Sequence, residues 1–197
     1  MRIILLGLIG AGKGTQAQML ARHMGVAHVA SGDLFRQIQE QGTELGLLVK
    51  QYMEKGELVP DDVTIRLIMD RIEQEDCRRG FILDGFPRTM KQATALDRAL
   101  GEQGVDRVLN LRVTQEELVR RLSGRLICSQ CQTPYHRTNL PQKVEGRCDR
   151  CGGELYQRAD DQPEVVQRRL QVQQDLLAAL LDYYSKQGKL VEVDGEQ

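Results

Sequence analysis

The apolar run Ile3-Ile4-Leu5-Leu6 leads straight into Gly7-Leu8-Ile9-Gly10-Ala11-Gly12-Lys13-Gly14-Thr15, and the helix formers Gln16-Ala17-Gln18-Met19-Leu20 follow at once. A buried strand that passes through four glycines into a helix fits the first crossover of a parallel α/β sheet. Glycines let the backbone turn so that several N–H groups face one anion, the helix N-terminus adds positive potential, and Lys13 reaches terminal phosphates. The loop therefore predicts a nucleotide phosphate cradle. A dinucleotide-binding turn has similar glycine spacing, and Asp33 stands near the distance of a ribose-binding acid, but such a turn has no use for a lysine inside it. Arg2 with the apolar run is too short for a secretory signal and ends in glycines and lysine.

The rest of the chain repeats the theme. Strand-like runs at Arg2 to Leu6, Ala27 to Ala30, Gly80 to Leu83, Arg107 to Leu111 and Leu190 to Val193 alternate with helical periodicity. The helices are predicted at Lys13 to Met24, Asp33 to Gln41, Leu45 to Lys55, Asp61 to Gln74, Thr89 to Gly101, Gln115 to Ser123 and Pro163 to Lys186. This is α/β: a five-stranded parallel sheet on a P-loop, flanked by helices. With 197 residues, 41% of them apolar, one substantial core with insertions is expected. Lys and Arg total 27 against 28 Asp and Glu, so no global charge points to nucleic acid or an anionic membrane. No apolar stretch reaches transmembrane length, and no repeat or Pro/Ser/Gly linker divides the chain; a cytoplasmic monomer is expected.

Two regions break the alternation. Two short helices and Gly56-Glu57-Leu58-Val59-Pro60 occupy more chain than a simple crossover needs. Between Gly124 and Asp161 the helical pattern stops, and Cys128-Ser-Gln-Cys131 and Cys148-Asp-Arg-Cys151 face each other across sixteen residues. Paired CxxC knuckles at this spacing predict a closed four-thiolate shell, structural rather than catalytic and most often zinc, standing in for a hydrophobic core. Iron suits the same sulfurs. Two disulfides are the alternative; the lack of a secretory signal and the odd Cys77 argue against them. His136 is an alternative ligand, and Cys77 is expected to be inert.

Phe81-Ile82-Leu83-Asp84 ends a strand with a carboxylate, where a phosphate-loop fold holds magnesium, usually through water; capping the next helix is the alternative. Asp33 is a second candidate acid. Arg36, Arg88, Arg121, Arg125, Arg158 and Arg169 fall in segments expected to border the cleft. Phosphoryl transfer spreads negative charge over equatorial oxygens, and fixed guanidinium forks suit it.

These motifs, with Ser31-Gly32-Asp33-Leu34-Phe35-Arg36, Asp84-Gly85-Phe86-Pro87-Arg88-Thr89, Gln92 and Arg158-Ala-Asp160-Asp161, resemble adenylate kinases of the bacterial type with a long metal-binding lid, over nearly the whole chain. The resemblance implies Mg2+-dependent phosphoryl transfer from ATP to AMP giving two ADP, without a covalent enzyme intermediate, and a lid that excludes water. It assigns Gly10, Ala11, Gly12, Lys13, Gly14 and Thr15 to the ATP phosphates. Arg121 lies against the adenine, Arg125, Pro134 and Tyr135 complete the ATP side, and the main chain near Gly195 and Gln197 approaches the base. Ser31, Arg36, Glu57, Leu58, Val59, Gly85, Phe86, Pro87, Arg88 and Gln92 match the AMP side, and Arg158 and Arg169 flank the transferred phosphate. Catalytic roles fall to Lys13, Asp84, Arg88, Arg125, Arg158 and Arg169. The amide of Gln92 suits an adenine edge. Cys128, Cys131, Cys148 and Cys151 would carry Zn2+, and Asp160 and Asp161 would sit at the base of the lid; stabilising its closed state by pairing with arginines is the alternative. The implied division is a core of residues 1–30, 60–123 and 162–197, an NMP-binding insertion of 31–59 and a lid of 124–161. Two departures stand out: Ile9 replaces the family's usual proline, and the sequence stops at Gln197, where relatives continue into a further helix. The rivals are a UMP/CMP-type kinase and, from another class, a zinc-ribbon nucleic-acid-binding nucleotide switch.

Overall fold

The computed structural model describes residues 1–196. Five parallel strands form one sheet: β1 (Arg2–Leu6), β2 (Ala27–Ala30), β3 (Phe81–Asp84), β4 (Arg107–Arg112) and β8 (Leu190–Asp194), in the order β2-β3-β1-β4-β8. Between them run α1 (Lys13–Met24), α2 (Ser31–Glu40), α3 (Glu44–Glu54), α4 (Asp61–Ile72), α5 (Met90–Leu100), α6 (Gln115–Ser123) and α7 (Pro163–Lys186).

Strand periodicity divides the core into layers. Ile3 and Leu5 point to one face, packing with Ile82 on Ala17 and Ala21 of α1. Ile4 and Leu6 point to the other, packing with Leu83 and Val108 among Phe86, Leu96, Leu180 and Tyr184. Both faces are covered, which is why the central strands read as unbroken apolar runs instead of alternating ones. A third cluster holds Ile9 and Ala11 of the glycine-rich loop against Leu111, Leu118, Leu122, Val166 and Leu170. Ile9, only 5% exposed, thus anchors the loop to α6 and α7.

The register fixes the chemistry. Leu5 lies beside Asp84, so the carboxylate at the end of β3 stands next to the loop leaving β1, and Ala30 pairs with Asp84 from the other side. Small boundary differences from the sequence reading have local causes. β3 starts at Phe81, because Gly80 sits at φ +127° with Met1 against it, where a Cβ would lie 2.1 Å from Met1 O. α2 starts at Ser31, two residues before the predicted Asp33. Residues 124–161 form a separate antiparallel sheet, β6-β5-β7, from β5 (Arg125–Cys128), β6 (Pro134–His136) and β7 (Leu155–Tyr156), all too short to carry a periodicity signal.

Candidate active site

A cleft of about 450 Å³ opens over the C-terminal ends of the sheet strands. Its floor is the glycine-rich loop, where Gly10 and Gly12 hold φ of +83° and +91°. A Cβ on Gly10 would meet Leu118 O and Leu122 Cγ at 3.0 Å, so this position needs glycine for both conformation and space. Lys13 Nζ donates to Gly7 O at 2.8 Å and Leu8 O at 2.9 Å. Burial pushes its pKa down to about 8; Asp84 opposes that shift, while Arg88, Arg169 and Arg125 add to it. Gly10, Gly12, Lys13, Gly14 and Thr15 face the cleft. Ala11 does not: its side chain is core, and its N–H closes a turn on Leu8 O at 3.2 Å.

Opposite the loop, Ser31 and Arg36 of α2, Glu57, Leu58 and Val59, and Gly85, Arg88 and Gln92 line the wall. Phe86 is fully buried in the core, and Pro87 borders a second, smaller cavity behind the loop, so neither side chain lines the main cleft. Thr89 caps α5 by accepting from Gln92 N, and its hydroxyl donates to Asp61 Oδ1 at 2.9 Å. The 2%-exposed Gln92 then donates its Nε2 to the same oxygen at 2.7 Å and accepts from Arg88 N at 2.7 Å. One donor and one acceptor position of its amide stay free.

Cations converge over the loop. Arg36 pairs with Asp33, Arg125 with Asp161, and Arg169 with Asp160 at 2.7 Å and Asp161 at 3.7 Å. Asp160 and Asp161 thus hold arginines, the alternative role given above. Among the described residues no carboxylate lies within ion-pair distance of Arg88 or Arg158. Burial first, then Arg169, pushes Arg88 down to about 10; burial, then Arg36 and Arg125, does the same to Arg158. Such crowded guanidiniums, with Arg36 Nε and Arg158 Nε buried and unpartnered, constitute a preorganised anion site. Asp84 stays ionised: burial alone would raise its pKa, but His28 and Lys13 outweigh it.

From α6 and the 124–161 segment, Arg121, Arg125, Pro134, Tyr135 and His136 face the cleft. Arg121 donates to Glu117 and to Gly195 O, the latter at 2.8 Å. Gln197 lies outside the described residues. Asp33 and Asp160 also line the cleft. Two residues the sequence reading passed over belong here: His28, whose Nε2 lies 3.7 Å from Asp84, and Glu117, detectable only as an i,i+4 partner of Arg121.

The cysteine cluster closes in the same segment. The sulfurs of Cys128, Cys131, Cys148 and Cys151 all lie within 4.8 Å of one another, with Cys128–Cys151 at 3.4 Å and Cys131–Cys148 at 3.5 Å. No disulfide joins them. Tetrahedral zinc–sulfur bonds of about 2.3 Å require sulfur–sulfur edges of about 3.8 Å, so the donor set fits a Zn2+-type ion. Tyr135 hydroxyl lies 3.4 Å from Cys148 Sγ, and despite the opposing effect of burial the Cys148 thiol is pulled down to about 6 by Tyr135 and nearby N–H groups, favouring the metal-binding thiolate. His136 stays outside this cluster, its Nδ1 accepting from Asn139 N at 3.0 Å.

The adenylate kinase family model matches residues 5–189. This chain belongs to the adenylate kinase family. Among similar proteins, the adenylate kinase of Carboxydothermus hydrogenoformans is 51% identical over 99% of this chain and 92% of its own length. Those of Bacillus subtilis (50%, covering 100% and 92%) and Methanosarcina barkeri (52%, covering 99% and 91%) are similarly close. The matched residues span the positions of the glycine-rich loop, the arginine cluster and both cysteine knuckles.

Proposed function

We propose that the protein is a nucleoside monophosphate kinase, an ATP:AMP phosphotransferase that reversibly passes the γ-phosphoryl of ATP to AMP and yields two ADP. The observation that carries this reading is the surplus of positive charge over the glycine-rich loop, above all Arg88 and Arg158, which have no carboxylate within ion-pair distance among the described residues. A site for one phosphate needs fewer fixed cations; one for two nucleotides meeting end to end needs this many.

In this reading Gly10, Gly12, Gly14 and Thr15 cradle the ATP phosphates with their main chain, and Lys13 leaves its carbonyl partners for the phosphates. Arg125, Arg158 and Arg169 steady the transferring group, while Arg36 and Arg88 hold the acceptor phosphate. Ser31, Glu57 to Val59, Gly85 and Gln92 shape the acceptor pocket; Arg121, Pro134 and Tyr135 shape the donor pocket. Mg2+ bound with ATP would supply neutralisation of the phosphate charge. Asp84, ionised and facing the loop, has the chemistry to orient it through water. Residues 124–161 act as a lid that excludes competing water, residues 31–59 form the acceptor-binding insertion, and the remainder is the core. Zn2+ on the four cysteines holds the lid in shape. The protein is a cytoplasmic monomer whose partners are ATP, AMP and ADP, with neither nucleic acid nor membrane; among the described residues no helix is long and apolar enough to cross a membrane.

The test is product analysis with Mg-ATP and, in parallel, AMP, UMP, CMP or no acceptor. Rapid ADP formation with AMP alone is expected. Preferred transfer to a pyrimidine nucleotide would refute the AMP assignment, and hydrolysis without acceptor would refute lid closure.

A further inference from the structure

Glu117 does not line the cleft, yet its carboxylate organises one that does. Its Oε1 accepts from Arg121 Nε at 2.6 Å and from Arg120 Nη2 at 2.7 Å, and its Oε2 accepts from Arg120 Nε at 2.6 Å. On the far side, Arg121 Nη2 donates to Gly195 O at 2.8 Å. That carbonyl is itself positioned, because Gly195 N donates to Arg112 O at 2.9 Å, and the neighbouring Glu196 accepts from Thr114 N at 2.6 Å. Guanidinium N–H bonds lie in the plane of the group, so both partners of Arg121 grip its edges and leave its flat faces free to stack.

Consecutive arginines at 120 and 121 would repel each other without a shared counter-charge. Glu117 supplies it to both, and the two guanidiniums push its pKa down to about 2, so it is charged throughout the working range.

We propose that Glu117 is a positioning residue for the donor nucleotide: it fixes the plane of Arg121 against Gly195 so that the guanidinium presents a flat stacking surface to the purine base. This deepens, and rests on, the assignment of Arg121 to the ATP side. Pairs at i,i+3 and i,i+4 along one helix add little to fold stability even when partly buried, as the Arg121–Glu117 pair is, so its value lies in orientation.

The experiment compares the parent with Glu117→Gln, Arg121→Ala, the double variant, and Glu116→Gln, which removes an exposed acid from the same helix turn. KM for ATP and for AMP, kcat and thermal midpoints are measured for each. Glu117→Gln should raise KM for ATP about three- to tenfold, as expected for loss of one charge-assisted bond on a side chain still held by Gly195. KM for AMP, the midpoint and kcat should stay near parent values, and Glu116→Gln should match the parent. In the Arg121→Ala background the Glu117 change should add nothing. If Arg121→Ala raises KM for ATP but Glu117→Gln does not, the positioning role is overturned while the donor-side assignment stands. If Arg121→Ala leaves KM for ATP unchanged, that assignment itself fails. An equal rise in both KM values, or a lowered midpoint, would assign Glu117 a structural role instead.

Discussion

Asp161 is the most informative residue to perturb. Its side chain is completely buried, both its oxygens accept from one edge of the Arg125 guanidinium, with Nε at 2.7 Å from Oδ2, and it lies 3.7 Å from Arg169. Asp161→Asn keeps the shape but removes the charge, leaving two guanidiniums facing an amide. Removing one partner of a buried pair costs about 3–5 kcal/mol, and the opening of Arg125 to the cleft favours the lower end, about 3 kcal/mol. For a chain of this size that corresponds to a fall in thermal midpoint of about 9 °C. Nucleotide phosphates would supply the missing counter-charge, so saturating ADP should restore at least about half of that loss, because ligand stabilisation adds directly to the folding free energy. Scanning fluorimetry with and without ADP measures both quantities. Asp182→Asn, which breaks only an exposed pair with Lys186, serves as the control and should change stability by less than about 1 kcal/mol. A midpoint within about 2 °C of the parent would refute the burial argument, on the same conversion; an equal ADP shift in parent and variant would refute the exchange of Asp161 for phosphate.

Lys13 gives a pH prediction. With its pKa near 8 in the free protein, kcat/KM for ATP should fall as pH rises through about 8, and ATP binding above that pH should take up a proton, readable by calorimetry in buffers of different ionisation enthalpy. Between pH 8 and the ordinary lysine value of 10.5 the unfolded chain holds a proton that the folded one has lost, so this residue makes stability rise with pH across that window. Stripping the metal, or Cys128→Ser, should make residues 137–150 protease-sensitive and reduce transfer more than about tenfold while the core still melts cooperatively. Besides Cys128 and Cys148, the large apolar side chains buried among the described residues of 124–161 are Ile127, Tyr135 and Leu155, worth about 2–3 kcal/mol each, against an ordering cost of about 1–2 kcal/mol per residue. Gln92→Leu leaves Arg88 N without its acceptor and should lower stability by about 2 kcal/mol in denaturant titration. It should also raise KM for AMP and leave KM for ATP alone.

The architecture was legible because its signals are local. Strand runs, helix caps and glycine spacing each act over a few residues, so Arg2–Leu6, Lys13–Met24 and Pro163–Lys186 were read to their ends. The knuckle spacing likewise foretold a cluster that the fold then assembled. The strands of residues 124–161 were not legible: two to four residues cannot show a period, and their antiparallel pairing is made between separate segments, those of β5 and β7 distant in sequence.

The sequence by itself determined the fold class, the phosphate loop and the inventory of arginines, because periodicity and motif spacing are properties of adjacent residues. Only the tertiary structure decided which arginines keep a carboxylate and which do not. It joined Arg125 to Asp161 across 36 positions and Arg121 to Gly195 across 74, and among the described residues it brought no carboxylate within ion-pair distance of Arg88 or Arg158. It also committed two of the hydrogen-bonding positions of the Gln92 amide to Asp61 and Arg88. Charge pairing depends on distance in space, and that distance is set by the order in which the strands assemble.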